Sequence, residues 1–270
     1  MISKDRLGER LRELLEGEYR IYREKTKKSA ELFEKARKFL PGGVSYAIRY
    51  FSPYPLFIKK AKDVNVWDVD GNVYIDYWMG HGTHILGHSP DFVVEAVNSI
   101  AREGTHFGYE NPYAVEYAEF LAKTLPNVEQ IRFSSSGTEA NMYAIRIARA
   151  YTRRRYVIKF EGGWHGGLDQ LHVGVSPPYN DPETLGLPQD FIKYTLVAPY
   201  NSIEYVEKLL KIYDVAAVLI EPVLGAGGCI EARREFLREL RRLTEEHQTL
   251  LIFDEVITGF RLAYGGGQEY

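Results

Sequence analysis

The spacing of apolar positions changes along the chain, and each change predicts an element. Residues 4–39 are dense in Lys, Arg, Glu and Leu, with Leu7, Leu11, Leu14 and Leu15 at helical spacing. One or two amphipathic helices are expected there, stopped by Pro41-Gly42-Gly43. The mixed sign of their charge reads as a solvated helix face. From Phe57 to Asp76 the period drops to two, with Val64, Val66 and Val69 before Asp70-Gly71 and Val73 and Ile75 after it. That is a hairpin signature. Helices are expected at about 91–103 and 113–124. Strand and helix then alternate: Glu129–Phe133 and Gly137–Tyr151, Tyr156–Phe160, Phe191–Val197 and Ser202–Tyr213, Val215–Ile220 and Arg233–His247, and Leu250–Phe253. This predicts an α/β fold with a mostly parallel sheet and helices on both faces. The Gly- and Pro-rich stretch 172–190 is long for a loop in a compact domain, as lids over sites often are.

Composition narrows the function classes. The 270 residues suffice for one or two domains. A formal charge of -3 argues against a nucleic-acid partner. Cys229 is the single cysteine, so no intrachain disulfide forms, which fits a cytoplasmic location. The segment Met1 to Arg12 is charged and has no apolar leader stretch. The longest apolar run, Val215 to Ile230, is interrupted by Glu221, Pro222 and glycines, so no membrane span is expected.

Four constellations could carry chemistry. In Ser134-Ser135-Ser136-Gly137-Thr138-Glu139 a strand enters a small-residue turn and a helix leaves it. The helix N-terminus, the hydroxyls of Ser136 and Thr138 and the close approach allowed at Gly137 suit a phosphate. The spacing of Ser136 and Glu139 reads equally well as a capping box. In Gly162-Gly163-Trp164-His165-Gly166-Gly167 an aromatic flanked by glycines could stack on a flat ring, although alone it reads better as a glycine turn with a half-buried Trp. Ile220-Glu221-Pro222 places Glu221 at the carboxyl edge of a strand, and Phe253-Asp254-Glu255-Val256 does the same for Asp254. In Gly80-His81-Gly82-Thr83-His84-Ile85-Leu86-Gly87-His88 solvated or hydrogen-bonded loop histidines are the simpler reading than metal ligands. Jointly, a phosphate cradle, a ring-stacking aromatic and an acid able to pair with a ring nitrogen match pyridoxal phosphate. An ionised Asp254 keeps a pyridine nitrogen protonated, and the protonated ring accepts electron density.

These motifs, with Pro41-Gly42-Gly43-Val44, Val66-Trp67-Asp68-Val69-Asp70-Gly71-Asn72, Lys159-Phe160-Glu161-Gly162 and Asp254-Glu255-Val256-Ile257-Thr258-Gly259-Phe260-Arg261, resemble the class III pyridoxal-phosphate aminotransferases. Within them the chain is similar to the glutamate-1-semialdehyde 2,1-aminomutases, from about Lys28 onward. The resemblance implies a fold-type-I transferase with residues 1–75 as an N-terminal dimer or small-domain segment and 76–270 as most of the cofactor domain. It implies that Ser136, Gly137 and Thr138 hold the phosphate, that Trp164 and Val256 cover the two ring faces and that Asp254 pairs with the ring nitrogen. His165 and Glu221 join the cofactor-binding set. It places Arg49 on the substrate carboxylate, with Tyr46 and His81 in the substrate pocket, and makes 172–190 a gating loop.

Tyr46 replaces a small hydroxyl of the aminomutase pattern, His81 a tryptophan and Ala226 an asparagine. Glu221 to Cys229 is more similar to transaminases of β-amino acids. The implied substrate is a small amino acid or amino-aldehyde, the implied assembly a homodimer. The resemblance calls for a lysine that holds the cofactor covalently beyond the Asp254 strand. No lysine follows Lys211, so that catalytic residue is expected past Tyr270, in a longer parent. An exposed sheet edge would follow. A non-catalytic binding protein with the same fold is the alternative. A nucleotide-binding dehydrogenase would need a dinucleotide glycine fingerprint, which is missing.

Overall fold

A computed structural model describes residues 4–270. The first three residues of the charged N-terminal stretch lie outside the described residues. The chain divides into two compact units, Met1–Phe107 and Gly108–Tyr270.

In the first unit, α1 (Lys4–Lys25) and α2 (Lys27–Ala36) are the two N-terminal helices. A three-residue turn, Pro41–Gly43, ends them. The alternating stretch forms a meander rather than a single hairpin: β1 (Ile58–Lys62), β2 (Asn65–Asp68) and β3 (Val73–Ile75), in the order β1-β2-β3 and antiparallel throughout. Asp70, in the β2–β3 turn, accepts from Lys28 N at 2.7 Å, Ser29 N at 3.0 Å and Ser29 Oγ at 2.9 Å. A carboxylate from the turn therefore caps α2, where Thr26 makes no side-chain cap. A distorted turn, α3 (Met79–Gly82), and α4 (Asp91–Ala101) complete the unit. The unit boundary lies later than Ile75 because residues beyond β3 are tied back to the meander. Asp63 and His88 exchange backbone hydrogen bonds of 2.9 and 2.7 Å, and His88 Nε2 lies 2.7 Å from Asp76 Oδ2.

The second unit carries α5 (Pro112–Thr124), α6 (Gly137–Thr152), β4 (Tyr156–Phe160), α7 (Gln189–Ile192), β5 (Thr195–Ala198), α8 (Ile203–Ile212), β6 (Val215–Ile220), the short pair β7 (Val223–Leu224) and β8 (Ile230–Glu231), α9 (Arg234–Glu246) and β9 (Leu250–Phe253). The main sheet runs β5-β4-β6-β9, all parallel. Every residue of β6 is buried, as expected for a central parallel strand with both faces covered. Ile158, Phe160, Val218 and Ile220 pack with Val206 and Leu210 of α8 and Phe236, Leu240 and Leu243 of α9. Val157 and Leu219, on the opposite face, pack with Ile145 of α6 and Leu171. Burying each such side chain contributes about 1.5–3 kcal/mol. This is the expected parallel α/β arrangement, and it brings the ends of β4, β6 and β9 to one edge.

Two expected strands differ. Glu129–Phe133 has no regular secondary structure and joins no ladder among the described residues. Its side chains are held instead by rings: Phe133 stacks on Tyr117 at 5.7 Å and 9°, and the Arg132 guanidinium sits 4.0 Å from the Tyr143 ring centroid. The stretch 191–197 begins as the helical turn α7 and becomes strand only at Thr195. β9 is an outer strand of the sheet and its residues are half-buried.

Candidate active site

The helix dipole and the turn before α6 form the first part of the site. Ser136 is the N-cap, and its Oγ accepts from Glu139 N at 3.2 Å. Glu139 Oε2 in turn accepts from Ser135 N at 2.9 Å. The capping-box reading is realised on one side, with the return bond going to Ser135 N instead of the N-cap amide. It leaves the N–H groups of Gly137 and Thr138 with no acceptor among the described residues, at the positive end of a 16-residue helix. Thr138 Oγ1 accepts from Gly167 N at 3.1 Å, which draws the turn after β4 against the start of α6.

The acid at the end of β9 is the second part. Asp254 is 6% exposed. Asn141 Nδ2 donates to its Oδ2 at 2.8 Å, His165 Nδ1 lies 2.8 Å from the same oxygen, and Val256 N donates to Oδ1 at 3.1 Å. Burial alone opposes ionisation of Asp254, but the hydrogen bonds from His165, Asn141 and Val256 N outweigh it and hold the carboxyl below its ordinary value. Burial pushes His165 down from its ordinary value, against the pull of Asp254, and the Lys159 charge adds to the depression. The pair is therefore an aspartate accepting Nδ1–H from a neutral imidazole.

Asn141 lies one turn into α6, so the acid and the free amides belong to the same small region. A Cβ built on Gly137 would lie 2.6 Å from Val256 Cγ2, which sets the β9 end directly against the amide turn. At the end of β6, Glu221 Oε1 accepts from Trp164 N at 2.8 Å and Oε2 from Gly225 N at 2.9 Å. Burial raises the pKa of Glu221 above its ordinary value despite those donors. Trp164 is 38% exposed, with its ring edge-on to His172 at 5.4 Å. Val256 is exposed.

The structure thus gathers Ser136, Gly137, Thr138, Trp164, His165, Glu221, Asp254 and Val256 in the second unit. Asn141, Lys159 and Tyr200 were missed from sequence. Tyr200 donates its hydroxyl to the Glu221 carbonyl at 2.8 Å. Asn141 carried a usable signal, since it stands three residues after Thr138 on the same helix face. Tyr46, Arg49 and His81 gather in the first unit. Arg49 Nη1 donates to Ser45 Oγ at 2.8 Å and lines a cavity of about 710 Å³ with Ile48, Phe51 and Trp78. The His81 ring lies 4.8 Å from Trp78 and 6.5 Å from Tyr46. His84 and His88 pair with each other at 4.7 Å.

The titrations give a signed expectation. His165 folds with a depressed pKa, so the unfolded chain binds more protons and stability falls as the pH drops below the ordinary histidine value of 6.5. Asp254 contributes stability above its unfolded value near 3.8, lost as pH falls through its lower folded value. Both act in the same direction. Thermal melts stepped downward from neutral pH are expected to show a steady loss beginning near that histidine value, and the His165→Gln variant a flatter profile there. An unchanged profile in the variant would place the acid sensitivity elsewhere.

Free amides at a helix start, close backbone approach at Gly137 and Gly166, and a buried anion suit one ligand class: a flat cationic heterocycle with an anionic tail. A parallel α/β unit with a ligand edge of that kind is shared with pyridoxal-phosphate transaminases. Residues 46–266 match the family described as Aminotransferase class-III, and the chain belongs to that family. It is 46% identical over 253 residues to a glutamate-1-semialdehyde 2,1-aminomutase of Persephonella marina, covering 91% of this chain and 59% of that protein. Among solved structures it is similar to a transaminase with PLP bound, at 37% identity and a TM-score of 0.86 over 90% of this chain and 58% of that one. It is also similar to a β-phenylalanine aminotransferase from Variovorax paradoxus, at 32% identity and a TM-score of 0.83 over 92% and 55%. The chain spans about 59% of the length of the curated relatives it matches. Among the described residues, no helix is long and apolar enough to cross a membrane.

Proposed function

We propose that these residues form the cofactor-holding part of an enzyme that moves amino groups with pyridoxal phosphate, on a small amino acid or amino-aldehyde. The observation that carries the reading is Asp254, a buried carboxylate held by Asn141 and His165 beside the free amides of Gly137 and Thr138. When bound, the cofactor supplies an electron sink for a carbanion at the substrate's amino-bearing carbon. The chain's own residues would do the rest. The Gly137 and Thr138 amides, with the hydroxyls of Ser136 and Thr138, bind the phosphate. Asp254 holds a proton on the ring nitrogen. Trp164 and Val256 limit the ring's freedom on its two faces, and Glu221 fixes the Trp164 backbone. Arg49, with Tyr46 and His81, is assigned to the substrate carboxylate and its surroundings. A cytoplasmic homodimer belongs to the same reading.

A cofactor-binding protein that performs no transfer is the second reading. What favours it is that Lys159, the lysine at the β4 edge, is fully buried with its amine spent on main-chain carbonyls. The 270-residue chain is expected to bind pyridoxamine phosphate and to transfer no amino group to a 2-oxo acid. Calorimetric titration and a coupled transfer assay check the two halves. Turnover by this chain would show that a lysine within residues 1–270 serves the transfer. Absence of binding would remove the cofactor reading.

A further inference from the structure

Lys159 is the lone charge in β4, and its side chain is fully buried. Its neighbour two positions back, Val157, packs on the α6 face of the sheet, so the strand alternation turns Lys159 to that face too. Nζ donates to the carbonyls of Gly163 at 2.9 Å, Leu171 at 3.1 Å and Val173 at 2.5 Å. An ammonium has three N–H bonds, and here each has an acceptor. No carboxylate lies within ion-pair distance of it among the described residues. The groups that face it are Glu183, Glu221 and His165. Burying a cation without an ion pair is costly, so the site is expected to gain something specific from it.

The acceptors show what is gained. They lie at both ends of the loop that runs from β4 through Trp164 and His165 to the start of the 172–190 stretch. Gly163 immediately precedes Trp164, and Gly162 N donates to Gly174 O at 2.8 Å, closing the same loop at its neck. His165 then reaches Asp254 at 2.8 Å, and Trp164 N reaches Glu221.

We propose that Lys159 is a positioning residue for the cofactor site: its ammonium clamps the two ends of the 163–173 loop and so sets Trp164 and His165, and through His165 the Asp254 carboxylate. The proposal rests on the cofactor reading above. Lys159 is not itself a covalent cofactor holder, because its amine is sealed from solvent and its three N–H bonds are committed to main-chain carbonyls. Burial lowers its pKa to about 8, against the pull of Glu183 and Glu221, which leaves the group cationic at neutral pH.

The test compares the 270-residue chain with Lys159→Met by amide exchange, histidine-ring NMR and pyridoxamine phosphate titration. Lys159→Met is expected to raise exchange over residues 162–174 and not elsewhere, to move the His165 titration upward because a neighbouring cation is gone, and to weaken binding about tenfold. Exchange raised uniformly, with the His165 titration unmoved, would overturn the proposal and leave a structural staple. Unaltered exchange and affinity would overturn it as well. If Lys159→Met does not fold, Lys159→Gln, which keeps two donors, takes its place with the same criteria. Failure of the unsubstituted chain to bind pyridoxamine phosphate would refute the cofactor reading alone. Exchange and titration would still decide the role of Lys159.

Discussion

Asp254→Asn is expected to weaken pyridoxamine phosphate binding by about tenfold to a hundredfold, the worth of a charged hydrogen bond in a buried site. The substitution keeps shape and leaves Asn141 an acceptor, so the fold is expected to survive. It removes the carboxylate charge, and the groups that hold position 254, namely Asn141, the Val256 amide and the neutral His165, carry no anion to replace it. The loss should be greatest well above the pKa of the free ring nitrogen, where the native carboxylate has most to do. Calorimetry at several pH values checks this. Equal affinity for both proteins across the range would show that Asp254 does not face the ring.

Gly166→Ala is expected to cost about 3 kcal/mol of stability and most of the phosphate affinity. Gly166 has φ of +86°, a left-handed conformation that a side chain strains, and an added Cβ would lie 2.8 Å from Thr138 Cα and collide with Thr138 Oγ1. The backbone of Thr138 cannot yield without moving the start of α6. Gly167→Ala is the control, since nothing lies within 4 Å of its added Cβ and its φ is ordinary. Urea unfolding and phosphate-analogue titration of both variants give the comparison. Similar losses in the two would show that the close approach at Gly166 is not what shapes the turn.

Much of this arrangement was legible in the sequence because local chemistry and tertiary position agree. Val215–Ile220 and Leu250–Phe253 are continuous apolar runs ended by an acid, and both are parallel strands with those bounds. Asp70-Gly71 marked its turn for the same reason. Where a position depends on partners remote in sequence, the pattern was silent. Glu129–Phe133 has a strand's residues without a strand's neighbour. Phe191 and Ile192 are apolar but were drawn into a helical turn. The last loop, rich in glycine, wraps Glu255, whose carboxylate accepts from Thr258 Oγ1 at 2.9 Å, Gly267 N at 2.5 Å and Gln268 N at 3.1 Å. His165 was read as a cofactor contact beside Trp164, and its hydrogen bond to Asp254, at 2.8 Å, could not be read from the sequence. Lys159 passed as one letter of a strand, because nothing local discloses three carbonyls gathered from a loop beyond it.

Asp254 is assigned to keep a proton on the nitrogen of a bound pyridine ring. Pyridoxamine phosphate labelled with ¹⁵N in the ring, bound to this chain at pH about 8, reports that proton directly through its nitrogen chemical shift. A shift characteristic of pyridinium is expected, returning toward neutral pyridine in Asp254→Asn. A neutral-pyridine shift in the unsubstituted protein would contradict it.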